Sequence, residues 1–383
     1  MLVFSENAWH VIVAAVVFFA GMALAVSQKR VFCVPHKRAL ALYFWHSFFC
    51  IVYFWYSLSN SADATNYFLS SLTYDMGFKF GTAGINYFAS FFTQGLGFSY
   101  GNMFLVFNIF GYLGLLAFGS TLQHVTRNSR RDIQRFSILI LFLPGLSFWS
   151  SALGKDALTF MGAGLITWAV LDLGRRIPAV IVGALCFLVP RPHMAGVLLL
   201  SLCFALLVSS RLGFYKKLAL LAVTMPLTIV GVQFGLSYAG LEDPTNLNEI
   251  GQYFETRQSK NLDGGSSVDI ASMPLALRMI AYLFRPFFFD AGGILGLVVS
   301  FENLALVSLI AAVVLRKNQR RSTLGKFEFA FYSIFVCISW FILANSSANL
   351  GIAIRQKIMF LPMLIVLIFS IWHGRGRRID KTL

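Results

Sequence analysis

Phe187-Leu188-Val189-Pro190-Arg191-Pro192-His193-Met194-Ala195-Gly196 sets an arginine and a histidine, bracketed by two prolines, between two apolar runs. Each run, 177–189 and 194–210, is shorter than the roughly 20 residues needed to cross a hydrocarbon core about 30 Å thick. A cation inside such a core costs about 2.5–3.5 kcal/mol on insertion scales, so it is kept where it faces protein, water or an anion. Arg191 therefore reads as part of a charged, water-accessible pocket at one face of a membrane.

Composition supports that reading. Of 383 residues, 57% are hydrophobic and 12% charged, with a mean hydropathy of +0.72, outside the range of soluble domains. The expected fold is an all-α polytopic membrane protein, one transmembrane domain over 1–383. Its spans are expected near 8–26, 39–58, 103–122, 136–153, 157–173, 177–190, 194–210, 218–236, 291–315, 327–345 and 350–372, about eleven in all. Alternate loops hold most of the 31 basic residues, including Lys37, Arg38, Arg130, Arg131, Arg175, Arg176, Arg320 and Arg321. The positive-inside rule then puts the N-terminus outside and the C-terminus in the cytoplasm. Because the net charge of +15 is parcelled into short loops between spans, it does not point to nucleic acid.

Residues 1–9 lack the basic n-region of a cleaved signal, so 9–26 reads as a retained first span. The five cysteines are odd in number and mostly intramembrane, with no CxxC pattern. They suggest no disulfide framework, and no metal or cofactor is expected. Two outer segments, 59–102 and 237–290, are long enough to carry function, and the second should hold an interfacial helix. Cytoplasmic loops are short, so chemistry is expected on the outer side.

Several residues there can carry it. Asp63 and Tyr67 are four apart, which on a helix places a general base beside an aromatic platform; Asp63 reads equally well as a helix N-cap. Gly154-Lys155-Asp156 lies in a connection short enough to hold Lys155 at the membrane rim. It is not a phosphate-binding P-loop, and a snorkelling lysine with a dipole-complementing Asp156 is its plain alternative. Pro274 and Pro286 bracket a helix carrying Arg278 and Arg285, seven apart and so on one face. Contact with lipid headgroups would explain those two equally. Upstream, Gly264-Gly265-Ser266-Ser267 supplies a hinge. Arg355 and Glu302 fall inside apolar runs, as ligand contacts or as a structural pair.

Lys155, Arg191, Arg278, Arg285 and Arg355 come from distant parts of the chain, yet topology puts them at similar outer depth. Guanidinium forks match phosphate oxygens bidentately, so such a set against lipid suits a lipid-linked phosphate or diphosphate. The remaining histidines are scattered without metal-ligand spacing and read as packing residues; His193 alone lies beside the pocket.

The early-loop Asp63…Tyr67, Phe148-Trp149-Ser150-Ser151…Gly154-Lys155-Asp156, Arg191-Pro192-His193, Gly265-Ser266…Phe284-Arg285-Pro286-Phe287 and Ile354-Arg355-Gln356-Lys357…Pro362 resemble the bacterial exopolysaccharide and O-antigen polymerases of Wzy or EpsG type. The resemblance runs in order over most of the chain. It implies a glycosyltransferase of the bacterial inner membrane that joins oligosaccharide repeats carried on undecaprenyl diphosphate at the periplasmic face, without a nucleotide sugar. Donor and acceptor lipid-linked glycans, membrane lipid and a chain-length regulator are the partners it implies. The long Arg-x10-Gly loop of O-antigen enzymes is absent, so only the five cations above are carried over as diphosphate contacts. Asp63 or His193 is the expected base, Arg191 the central catalytic cation, and Tyr67 and Tyr282 the sugar contacts. Two other readings stay open: a polyprenyl-phosphate-dependent enzyme adding one sugar, and a flippase for the lipid-linked glycan.

Overall fold

The computed structural model describes residues 2–208, 213–239, 273–315, 322–347 and 349–372, and no strand occurs among them. In chain order the helices begin with α1 (Ala8–Ser27), α2 (His36–Ser59), α3 (Asp63–Leu72), α4 (Thr82–Thr93), α5 (Tyr100–Thr126), α6 (Arg131–Ile140), α7 (Pro144–Ser150) and α8 (Lys155–Ala169). They continue with α9 (Ile177–Leu188), α10 (Pro192–Val208), α11 (Phe214–Ala239), α12 (Leu275–Phe284), α13 (Ile294–Val314), α14 (Lys326–Ser346), α15 (Leu350–Lys357) and α16 (Leu361–Ile371). Pro144 and Pro192 each open a helix, where a missing N–H costs nothing and the ring presets φ. The hinge expected at 264–267 lies outside the described residues.

Seven helical stretches are long and apolar enough to cross a membrane: Ala8–Arg30, His36–Ser59, Tyr100–Thr126, Arg131–Ser150, Lys217–Gly235, Ile294–Val314 and Lys326–Ser346. An eighth is reached if α15 and α16, bent by 62° at their break, count as one. That is fewer than the eleven expected. The difference falls at 157–173, 177–190 and 194–210, which form the 15-residue α8, 12-residue α9 and 17-residue α10. At 1.5 Å per residue these measure roughly 18–26 Å, short of a hydrocarbon core of about 30 Å. Apolar composition counts residues, whereas a span needs continuous helix, and Arg175-Arg176 and Pro190-Arg191-Pro192 interrupt it. On α1, Trp9, Val11, Ile12, Val16 and Phe19 are all half or more exposed, an apolar surface suited to lipid rather than water.

The chain packs as two compact units. The first comprises Met1–Ser120 and Leu141–Ala195, the second Thr121–Ile140 and Gly196–Leu383.

In the first unit, α2 and α5 share an aromatic core in which Tyr53, Phe54, Tyr100 and Phe104 meet ring to ring. The short α8 is buried along nearly its whole length. Its small residues allow this: a Cβ at Gly164 would lie 2.1 Å from the Gly114 carbonyl oxygen of α5, and one at Gly162 would lie 2.8 Å from that of Gly183 in α9. The long segment after α2 is itself helical. Residues Ala64, Tyr67, Phe68 and Ser71 form the buried i, i+3, i+4, i+7 stripe of α3. Tyr100 Oη donates to Ser57 Oγ at 2.8 Å and lies 3.3 Å from Thr65 Oγ1. At the far end, Gln94 Nε2 donates to the Ser71 and Tyr74 carbonyls at 2.8 and 2.9 Å. The α3–α4 hairpin is therefore held at both ends.

In the second unit, α12 packs against α13, α14 and α15. Trp340 Nε1 of α14 donates to the Met279 carbonyl at 3.0 Å. Tyr282, Phe331, Tyr332, Phe335, Met363 and Phe369 are fully buried here.

Candidate functional site

In the first unit, α8 starts after Gly154, whose φ of +150° and ψ of −166° are open almost only to glycine. A Cβ at Gly154 would also lie 2.9 Å from the Tyr67 ring, so α3 sits directly against the start of α8. Asp156, in the first turn, complements the positive helix end. Its Oδ1 accepts a 3.2 Å hydrogen bond from Arg191 Nη2, and the two side chains are only 8% and 16% exposed.

Arg191 occupies the turn between α9 and α10. Its backbone N–H donates to the Phe187 carbonyl at 2.8 Å, and its own carbonyl accepts from Met194 N–H at 2.9 Å. The hairpin clamps this turn: Gly81 N–H donates to the Val189 carbonyl at 2.7 Å, and a Cβ at Gly84 would meet the Val189 side chain at 3.2 Å. Three segments far apart in sequence, Asp63–Tyr67, Gly154–Asp156 and Val189–His193, are thereby joined. Asp63 is exposed in the first turn of α3, one position after the N-cap Ala62. Lys155 and His193 are half-buried, each in the first turn of its helix. A guanidinium carries five N–H donors. Arg191 directs Nη2 at Asp156, while its buried Nε has no hydrogen-bond partner among the described residues.

In the second unit, α12 starts after Pro274 and stops before Pro286, as the bracketing prolines suggest. The expectation that Arg278 and Arg285 share a helical face is corrected. Arg285 lies beyond the helix in extended backbone, φ −91° and ψ 156°, because a residue before proline avoids the α region. The Arg285–Pro286 bond is cis. Arg285 forks onto Asp290, Nε to Oδ2 at 2.7 Å and Nη2 to Oδ1 at 2.5 Å, and Phe287 N–H adds a 3.2 Å bond to Oδ2. The hydrogen bonds from Arg285 hold the Asp290 carboxyl below the usual carboxylate range, and Asp290 in turn raises Arg285. Arg278 donates to Asn345 Oδ1 at 3.0 Å and to the Met273 carbonyl at 3.1 Å. Arg355 is half-buried in the last turn of α15.

Neither expected sugar platform offers an open ring face. Tyr67 is 6% exposed against Gly154, and Tyr282 is 0% exposed with its ring near-parallel to Phe360 at 6.5 Å.

Lys357, to which the sequence reading assigned no role, is buried in the second unit. Its 5%-exposed side chain donates to Asn303 Oδ1 at 2.8 Å and to the Leu283 carbonyl at 3.1 Å, while Asn303 Nδ2 donates to the Pro286 carbonyl at 2.9 Å. The Glu302 carboxylate acts electrostatically on the same ammonium. This knot ties the turn after α12 to α13 and α15. The available signal was a lysine two residues after Arg355 and an asparagine beside Glu302, both in apolar runs.

In comparisons with protein-family models, with curated proteins and with solved structures, nothing matches this chain. The chemistry of the residues is therefore the guide. Lys155 and Arg191 lie at the ends of short apolar helices, Lys155 next to Asp156 in sequence and Arg191 paired with it.

Proposed function

We propose that the protein polymerises lipid-linked oligosaccharide repeats, carried on undecaprenyl diphosphate, at the periplasmic face of a bacterial inner membrane. The observation that carries this reading is Arg191. It is mostly buried, oriented by Asp156, has an Nε without a partner among the described residues, and lies in one cluster with Lys155 and the α3–α4 hairpin.

In the proposed reaction an acceptor hydroxyl attacks the anomeric carbon of the donor glycan. The new bond joins that oxygen to carbon, the bond from carbon to the diphosphate oxygen breaks, and undecaprenyl diphosphate leaves. Arg191 and Lys155 offset the charge that develops on the leaving group, an electrostatic effect often worth more than any other single contribution. Asp63 or His193 takes the acceptor's proton. Arg278, Arg285 and Arg355 are assigned to further lipid-linked phosphate. The reaction draws on the diphosphate bond and needs no metal or nucleotide.

The test is deletion of the gene, followed by sizing and locating the polyprenyl-linked glycans. Single repeats on the periplasmic face, with polymer restored by the wild type and not by Arg191→Ala, are expected. Repeats stranded on the cytoplasmic face would indicate a flippase, and polymer lacking one sugar would indicate a single-sugar transferase; either overturns the proposal.

A further inference from the structure

His46 stands about 15 Å into the 24-residue α2, close to the middle of a membrane-spanning helix. It is 0% exposed, and neither Nδ1 nor Nε2 has a hydrogen-bond partner among the described residues. A neutral imidazole always carries one donor and one acceptor, so both needs are unmet whichever tautomer forms.

The surroundings are polar. Asn108 of α5, 0% exposed, donates through Nδ2 to Ser47 Oγ at 3.0 Å and leaves Oδ1 without a partner among the described residues. Gly111 follows on the same face of α5. The point where its Cβ would stand is 2.7 Å from His46 Nε2 and 2.0 Å from the Ser150 carbonyl oxygen, so both polar atoms lie close against the bare Gly111 backbone and near each other. Ser150 ends α7, where carbonyls lack an intrahelical donor. Ser147, 0% exposed on α7, has an Oγ without a partner among the described residues. α7 packs along α2, with ring contacts of Trp45 with Phe142 at 6.1 Å and of Tyr53 with Phe148 at 4.6 Å on either side of Ser147 in sequence.

Unsatisfied polar atoms rarely gather in a folded interior unless ordered water joins them, typically through about three hydrogen bonds per molecule. Apolar cavities stay dry, but this wall is not apolar. We propose that His46, Asn108 Oδ1, Ser147 Oγ and the Ser150 carbonyl bind water at mid-depth in the first unit. The bound water lies behind the turn that leads from Ser150 to Gly154 and Lys155, and the inference does not depend on the polymerase reading.

X-ray radiolysis of the purified full chain in 18O-labelled water tests it without any substitution. Tyr112, 0% exposed with its ring 6.5 Å from His46, should be hydroxylated readily, whereas the equally buried Phe104 should not. Equal resistance of both rings would overturn the proposal. As a second measurement, the pair His46→Leu with Asn108→Leu should lower Tm by several degrees, because bridging water loses its partners. A dry cluster predicts the opposite, since removing costly unpaired groups raises Tm. A rise in Tm specific to sodium or potassium would assign the site to a cation and so overturn water as its occupant. Should the pair variant not fold, radiolysis of the wild type decides.

Discussion

Gly154 answers to two constraints at once, a positive φ and the Tyr67 ring over its Cα. Gly154→Ala is expected to cost about 1–3 kcal/mol from the backbone alone, read as a lower thermal midpoint, and Tyr67→Ala should not restore it because φ is untouched. The Asp156–Arg191 pair is buried enough that removing one partner strands a charge. Asp156→Ala should therefore destabilise by about 3–5 kcal/mol in denaturant titration, and Arg191→Lys should shorten polymer rather than abolish it, retaining charge but losing the fork. Asp290 sets a pH dependence. Its folded pKa is depressed, so its contribution is complete above the unfolded value near 4 and is lost as pH falls through the folded value. Thermal unfolding should show the midpoint falling on acidification from about pH 5 to pH 3, less steeply in Asp290→Asn. Of these residues Arg191 was visible as a cation set between apolar runs. The Asp156 pairing was not, because 35 residues separate the partners and no local pattern signals their contact.

Among the elements, proline and glycine positions announced where helices begin and end, as at Pro192, Pro274 and Pro286. Arg285 shows the limit of helical periodicity: counting seven from Arg278 assumed a helix that Pro286 had already ended. Within the long outer segment a helix was considered only around Asp63–Tyr67, and the α3–α4 hairpin was not foreseen, since its anchoring uses Ser57, Tyr100 and Gln94, residues unremarkable alone. Lys357 acts at this scale, tying α15 to α13 and to the turn after α12. Lys357→Met should lower the thermal midpoint by removing two hydrogen bonds and leaving the Leu283 carbonyl and Asn303 Oδ1 buried without that donor, each worth about 1–3 kcal/mol. Asn303→Leu in the same background should cost less than it does alone, because the two act as one network.

For the whole molecule, the charge distribution predicts an N-terminus outside and a C-terminus inside. In intact spheroplasts, a cysteine replacing the exposed Asn66, after α2, should react with an impermeant maleimide, and one replacing the exposed Lys37, at the start of α2, should react only after permeabilisation. Composition and apolar run length by themselves determined an all-helical chain with helices able to cross a membrane, because the hydrophobic effect depends on how much apolar surface a segment carries and not on its neighbours. Which cations are neutralised and which glycines admit a second backbone were decided only by tertiary structure. Those properties come from contacts between segments distant in the chain: Asp156 reaching Arg191, Gly164 meeting Gly114, and Lys357 bridging Asn303 and Leu283.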